Sequence, residues 1–126
     1  MMRILVVDDD AVISKVFAVM LQRAGFEVDL AEDGVQGVEM WEQGNYDLVL
    51  MDVQMPRMDG FEATRAIREK ERMRGGHIPI VAVTAYALLR DEEQCLAAGM
   101  DAYFSKPVDF KKLIETIRSL IGSRAS

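Results

Sequence analysis

A single cysteine, Cys95, leaves the 126-residue chain with no partner for an internal disulfide. A disulfide-stapled secreted framework is excluded, and a reducing cytoplasm is the expected compartment. Cys95 itself reads as a small residue on a helix face rather than a reactive thiol. The only histidine, His77, has no second imidazole or cysteine near it in sequence to share a metal. No apolar run approaches the roughly 20 residues a membrane-spanning helix needs. The start, Met1-Met2-Arg3, leads straight into a strand-like run, so no signal peptide and no membrane insertion are expected. Acids outnumber bases, 21 to 15, and the net charge of −6 gives no electrostatic reason for direct binding to nucleic acid. No repeat, linker or low-complexity stretch breaks the chain.

What is present suits one soluble domain: 50% apolar residues can build a core and 29% charged residues can solvate it. Strand-like and helix-like runs alternate five times. Strands are expected at Arg3–Asp8, Phe26–Ala31, Asp47–Asp52, Pro79–Val83 and Ala102–Phe104. Helices are expected at Asp10–Ala24, Val35–Gln43, Phe61–Met73, Leu88–Ala98 and Asp109–Ile121. The first helix carries Val12, Ile13, Val16, Phe17, Met20 and Leu21 at spacings for one apolar face. Asp10 and Asp59 stand where N-caps belong, and Gly25 and Gly99 where helices end. The third helix carries Glu62, Arg65, Arg68, Glu69, Glu71 and Arg72, read as a solvated face. The second strand alternates Phe26, Val28 and Leu30 with Glu27 and Asp29, as an edge strand with one wet face would. The third and fourth are apolar throughout, as strands covered on both sides are. Residues 1–122 are expected to form the domain and 123–126 a loose tail. The class is α/β, a (βα)5 doubly wound parallel sheet. With strand two at an edge, the order expected is 2-1-3-4-5, the one known for flavodoxin-like doubly wound sheets rather than one fixed by this pattern, and it puts the winding reversal between strands one and three.

The residues closing these strands carry the chemistry. Asp8-Asp9-Asp10 follow strand one, Asp52 ends strand three, Thr84 closes strand four and Lys106 follows strand five. Three carboxylates at one sheet edge repel one another. A hard divalent cation such as magnesium cancels that repulsion and needs only two or three carboxylates, because it keeps several waters. An ammonium and a hydroxyl beside them suit the charge that spreads over a transferring phosphoryl group. Taken singly, Asp10 reads as a helix cap, Thr84 as a core or turn hydroxyl and Lys106 as a surface charge. All of them at strand ends, in this order, point to a site.

Four segments make the pattern recognisable: Ile4-Leu5-Val6-Val7-Asp8-Asp9-Asp10, Asp52-Val53-Gln54-Met55-Pro56-Arg57-Met58-Asp59-Gly60, Val83-Thr84-Ala85 and Ser105-Lys106-Pro107. The chain resembles the receiver domain of two-component response regulators, CheY-like, over essentially its whole length. Residues 76–107 look most like receivers attached to hybrid histidine kinases. The resemblance implies that Asp52 accepts a phosphoryl group from a partner phosphohistidine. It implies a magnesium site made by Asp9, Asp8 through water, Asp52 and the main-chain carbonyl of Gln54, with manganese able to substitute. Thr84, Ala85 and Lys106 match the phosphoryl-binding groups, and Tyr103 the aromatic whose rotamer reports activation. Lys106-Pro107 matches a peptide bond usually cis in the family. Gln54 and Tyr86 stand where side chains tune the phosphoryl lifetime. The implied partners are a histidine kinase or histidine phosphotransfer protein and an unnamed downstream protein. The implied activity is a switch that catalyses only its own phosphorylation and dephosphorylation. It is either a stand-alone regulator or a piece of a hybrid kinase. A haloacid-dehalogenase-type phosphatase would need a second acid at Gln54, and a flavodoxin-like carrier a hydroxyl- and glycine-rich loop in place of the three aspartates. A receiver acting without phosphorylation would lack a key group, and none is missing.

Overall fold

Strands buried on both faces form the middle of the sheet. The computed structural model of the chain describes residues 2–55, 57–85 and 89–125. Strands β1 (Arg3–Val7), β3 (Leu48–Asp52) and β4 (Ile80–Thr84) are buried at nearly every position. β2 (Glu27–Ala31) and β5 (Ala102–Ser105) lie at the two edges, and all pairings are parallel in the order β2-β1-β3-β4-β5. Side chains alternate across this sheet. Leu5, Val7, Val49, Met51, Ile80 and Ala82 face one way, against α2 (Gly34–Gln43), α3 (Gly60–Arg74) and α4 (Leu89–Ala98). Ile4, Val6, Leu48, Leu50, Val81 and Val83 face the other, against α1 (Ala11–Arg23) and α5 (Phe110–Ala125).

Local chemistry sets the helix ends. The Asp10 carboxylate accepts from the amides of Val12 and Ile13, and Asp59 forms a reciprocal capping box with Glu62. Gly25 and Gly99, with φ of 97° and 104°, follow α1 and α4 in the left-handed region that glycine adopts freely. Leu88, expected to open the fourth helix, lies outside the described residues.

Four expectations need correction. First, α1 does not bury the whole stripe read from its spacing. Phe17 and Leu21 are in the core, but Val12 is 72% exposed and Val16 and Val19 are each 46% exposed. Only one edge of the stripe meets the sheet. Second, α5 runs to Ala125, past the Ile121 end expected for the fifth helix. Gly122 is not in the left-handed region and does not stop the helix. Third, Arg68 and Glu71 are not on a solvated face. Arg68 donates to the carbonyls of Gly99 and Ile78 and pairs with Glu71 and Asp101, while Glu71 accepts from the amide of Ile78. The network ties α3 to the loop entering β4 and to the turn after α4. Asp101 also accepts from the Ile80 amide and meets His77 at 2.8 Å, so His77 has a carboxylate partner. Fourth, on β2 Leu30 is exposed, and Asp29 is half-buried beneath the Tyr46 hydroxyl, which donates to it at 2.8 Å.

Candidate functional site

The sheet register brings the predicted residues together. Val7 pairs with Met51, so the next residues, Asp8 and Asp52, leave the sheet side by side. Asp52 pairs with Val83 and Thr84 with Ser105, which puts Thr84 one step beyond Asp52 and Lys106 one step beyond Ser105. Carboxylate oxygens of Asp8, Asp9 and Asp52 all lie within 4.8 Å of one another. Asp8 and Asp52 are buried and Asp9 is exposed, so the cluster meets solvent on the Asp9 side. The Lys106 ammonium lies 3.0 Å from Asp8 Oδ2 and 3.6 Å from Asp52 Oδ2. The second oxygen of each buried acid is held by main chain. Asp8 Oδ1 accepts from the Asp10 amide at 2.9 Å and Asp52 Oδ1 from the Gln54 amide at 3.2 Å. The Lys106 amide donates to the Thr84 carbonyl at 2.7 Å, and the Lys106–Pro107 peptide is cis.

These groups shift one another. Burial first, and then the charge of Asp8, push the Asp52 carboxyl up from 3.8 to about 6, against the opposing Lys106 charge and the Gln54 amide. Burial alone would lower the Lys106 ammonium, but the hydrogen bond to Asp8 and the charges of Asp52 and Asp8 outweigh it, and the net shift is upward. Among the described residues, three carboxylates thus share one fixed cation. The charge imbalance, the hard oxygen donors and the open Asp9 side fit a divalent cation of the magnesium type.

The other predicted residues sit around this centre. Thr84 is 1% exposed at the end of β4, and Ala85 follows it at the surface. Tyr103 is half-buried on β5, against the core under α2, α3 and α4. The Gln54 side chain is exposed and lines, with Thr84 and Gln94, a cleft of about 340 Å³. Tyr86 lies outside the described residues.

Reading by motif alone missed what Gly60 does. A Cβ there would stand 2.3 Å from the Asp52 carbonyl oxygen, and the Gly60 amide donates to the Val53 carbonyl at 2.9 Å. The first turn of α3 is therefore packed directly on the main chain of Asp52. The available signal was the Asp59-Gly60 pair, a cap followed by a residue without a side chain. Gly60→Ala has to push Asp52 aside. It should cost about 2 kcal/mol in urea melts and slow phosphodonor labelling by roughly tenfold. Wild-type labelling at wild-type stability would show that the contact is not needed.

Residues 4–118 match the family model of the response regulator receiver domain. The chain belongs to the receiver-domain family of two-component response regulators. A hybrid signal transduction histidine kinase, kinase I of Dictyostelium discoideum, is 42% identical over 94% of the chain, which spans 7% of that much longer protein. The receiver domain of a sensor histidine kinase from Pseudomonas aeruginosa, solved with magnesium in its active-site cleft, is 42% identical. It has a TM-score of 0.87, with 96% of this chain and 98% of that one covered. The receiver domain of Ssk1 from Saccharomyces cerevisiae, solved in complex with the histidine phosphotransfer protein Ypd1, is 28% identical. Its TM-score is 0.93, with 99% of this chain and 92% of that one covered. The fold and the phosphorelay class expected from the sequence are those of these proteins, and the phosphatase alternative is not favoured. Among the described residues no helix is long and apolar enough to cross a membrane.

Proposed function

We propose that this receiver takes a phosphoryl group from a partner phosphohistidine onto Asp52. The observation that carries the reading is the Lys106 ammonium set between Asp8 and Asp52, 3.0 and 3.6 Å away, within a cluster of three acids. A carboxylate oxygen of Asp52 forms the new P–O bond, the P–N bond to the donor imidazole breaks, and the imidazole keeps the bonding pair. Lys106 neutralises one phosphoryl oxygen, and the Thr84 hydroxyl with the Ala85 amide serves another. Asp9, Asp8 through water, Asp52 and the Gln54 carbonyl would hold magnesium or manganese. When bound, the cation neutralises charge on the phosphoryl oxygens. Hydrolysis of the acyl phosphate resets the switch, at a rate tuned by Gln54 and Tyr86. The test is incubation with magnesium and acetyl phosphate. One acid-stable, base-labile phosphoryl group is expected; an acid-labile product on His77, or none, would contradict the reading.

The donor is a histidine phosphotransfer protein or histidine kinase, as the complex of Ypd1 with the Ssk1 receiver suggests for a protein of this fold. Val12 and Val16, exposed on α1, line with Ile13, Pro107 and Phe110 an apolar groove of about 520 Å³ that reaches Lys106. An apolar patch this close to the acceptor suits a partner that delivers its phosphohistidine there. Val16→Glu should lower phosphotransfer from the protein donor by about tenfold or more, a loss of about 1.4 kcal/mol in binding. Labelling by acetyl phosphate should not change. Equal losses with both donors would place the effect in the site and not in docking.

Output follows from Thr84. As its hydroxyl moves to the phosphoryl group, Tyr103 turns into the space beside β4, and the face formed by α4, β5 and α5 changes for a downstream protein in the cytoplasm. The population can shift only by the difference in how the two states hold the phosphoryl group. Thr84→Ala should therefore still be phosphorylated yet show smaller phosphorylation-induced NMR shift changes at Tyr103 and along α4. Changes of wild-type size would remove Thr84 from the switch.

A further inference from the structure

The loop after β3, described at residues 53–55 and 57–59, carries the Gln54 carbonyl assigned above to the metal. Its base is closed by the Gly60 amide, which donates to the Val53 carbonyl. Its tip rests on the start of α2. A Cβ on Gly34 would meet the Met58 carbonyl oxygen at 2.4 Å, so loop main chain lies directly on the first turn of that helix. Beside this contact the Arg57 guanidinium pairs with the Asp33 carboxylate. Asp33 is the N-cap of α2; its Oδ1 accepts from the Gln36 amide at 2.8 Å, which leaves Oδ2 for Arg57. The Asp33 side chain is only 7% exposed, and Arg57 is the one cation paired with it among the described residues. Arg57 is also the one non-glycine residue described with a positive φ, 67°. A side chain kept in that region needs a contact to hold it there, and a buried carboxylate needs a cation. Each meets the other's need.

We infer that the Arg57–Asp33 ion pair fixes the tip of this loop and so sets the Gln54 carbonyl at the cation site. Arg57 is then a positioning residue for metal binding and touches neither the cation nor the phosphoryl group. The inference rests on the metal-site reading above. Because the loop is closed at Val53 and Gly60, a shift at Arg57 is passed along few residues to Gln54. Arg57 is 69% exposed, so replacing it opens no core.

The test is magnesium affinity of the whole chain, measured by titration calorimetry with magnesium chloride and no phosphodonor. Arg57→Gln removes a positive charge and Asp33→Asn a negative one, and asparagine still caps α2. A pure charge effect would move the two dissociation constants in opposite directions. Loss of positioning weakens both, by about fivefold, less than the roughly 10–100-fold contributed by groups bonded directly to metal ligands, because Arg57 acts through the loop. The double variant, with wild-type net charge, should be no weaker than the singles. Arg57→Lys, which keeps the pair, should stay within about twofold of wild type. Opposite shifts, or no shift in either single variant, would overturn the inference while leaving the metal site standing. No magnesium binding by the wild type would overturn the site reading and the inference with it.

Discussion

Asp52→Asn should take up phosphoryl groups from acetyl phosphate about a thousandfold more slowly than wild type, or not measurably, as when an enzyme loses its nucleophile. The amide oxygen carries no charge to attack phosphorus. The neighbouring acids are poor substitutes. Asp8 is fixed between the Asp10 amide and the Lys106 ammonium, and Asp9, at the exposed side, is the acid proposed to hold the cation. Lys106 and Thr84 are placed around Asp52 and would not serve an acceptor elsewhere. Phosphate-affinity electrophoresis of both proteins over a time course measures this. Labelling of the variant at the wild-type rate would show that another residue is the acceptor.

The same carboxylate should limit stability when no metal is bound. Asp52 titrates at about 6 in the folded protein against 3.8 for the unperturbed group, chiefly because it is buried and then because Asp8 is close. Below pH 4 it is protonated in both folded and unfolded chains and costs nothing. Between pH 4 and 6 the unfolded chain gives up its proton first, so the folded state is increasingly penalised; above pH 6 the penalty is fully present. Allowing for solvent at the open side of the site, this amounts to about 2 kcal/mol. In EDTA, wild type should therefore lose roughly 8 °C in Tm relative to Asp52→Asn as the pH rises from 4 to 7. Magnesium binds only the folded site and should raise the wild-type Tm at pH 7 more than that of the variant. Parallel pH profiles in EDTA, with equal magnesium shifts, would refute the account of the charge cluster.

The sheet and its acids were legible because each rests on a short-range signal. A strand covered on both faces has to be apolar throughout, as Leu48–Met51 and Ile80–Val83 are, and the next polar residue then marks the strand end. The five parallel strands follow from that pattern, and the meeting of Asp8, Asp9 and Asp52 from the order known for flavodoxin-like sheets. What was not legible depends on distant contacts. Periodicity shows which side of α1 is apolar but not how much of it the sheet covers, so the exposure of Val12 and Val16 could not be read from spacing. Arg68 and Glu71 look like a surface pair at helical spacing; only the fold brings Ile78, Gly99 and Asp101 to them. Arg57 and Asp33 are 24 residues apart, and nothing local in either segment announces their pairing. Gly60 could be read as the start of a helix but not as the residue that lets α3 rest on Asp52.

The proposed switch turns on one covalent bond, between an Asp52 oxygen and phosphorus. The direct measurement is to phosphorylate the protein with acetyl phosphate and magnesium, reduce the acyl phosphate with borohydride, and locate the resulting homoserine by peptide mass spectrometry. Homoserine at position 52, absent when EDTA replaces magnesium, is the predicted result. Homoserine at position 8 or 9, or reduction at 52 that is indifferent to EDTA, would contradict it.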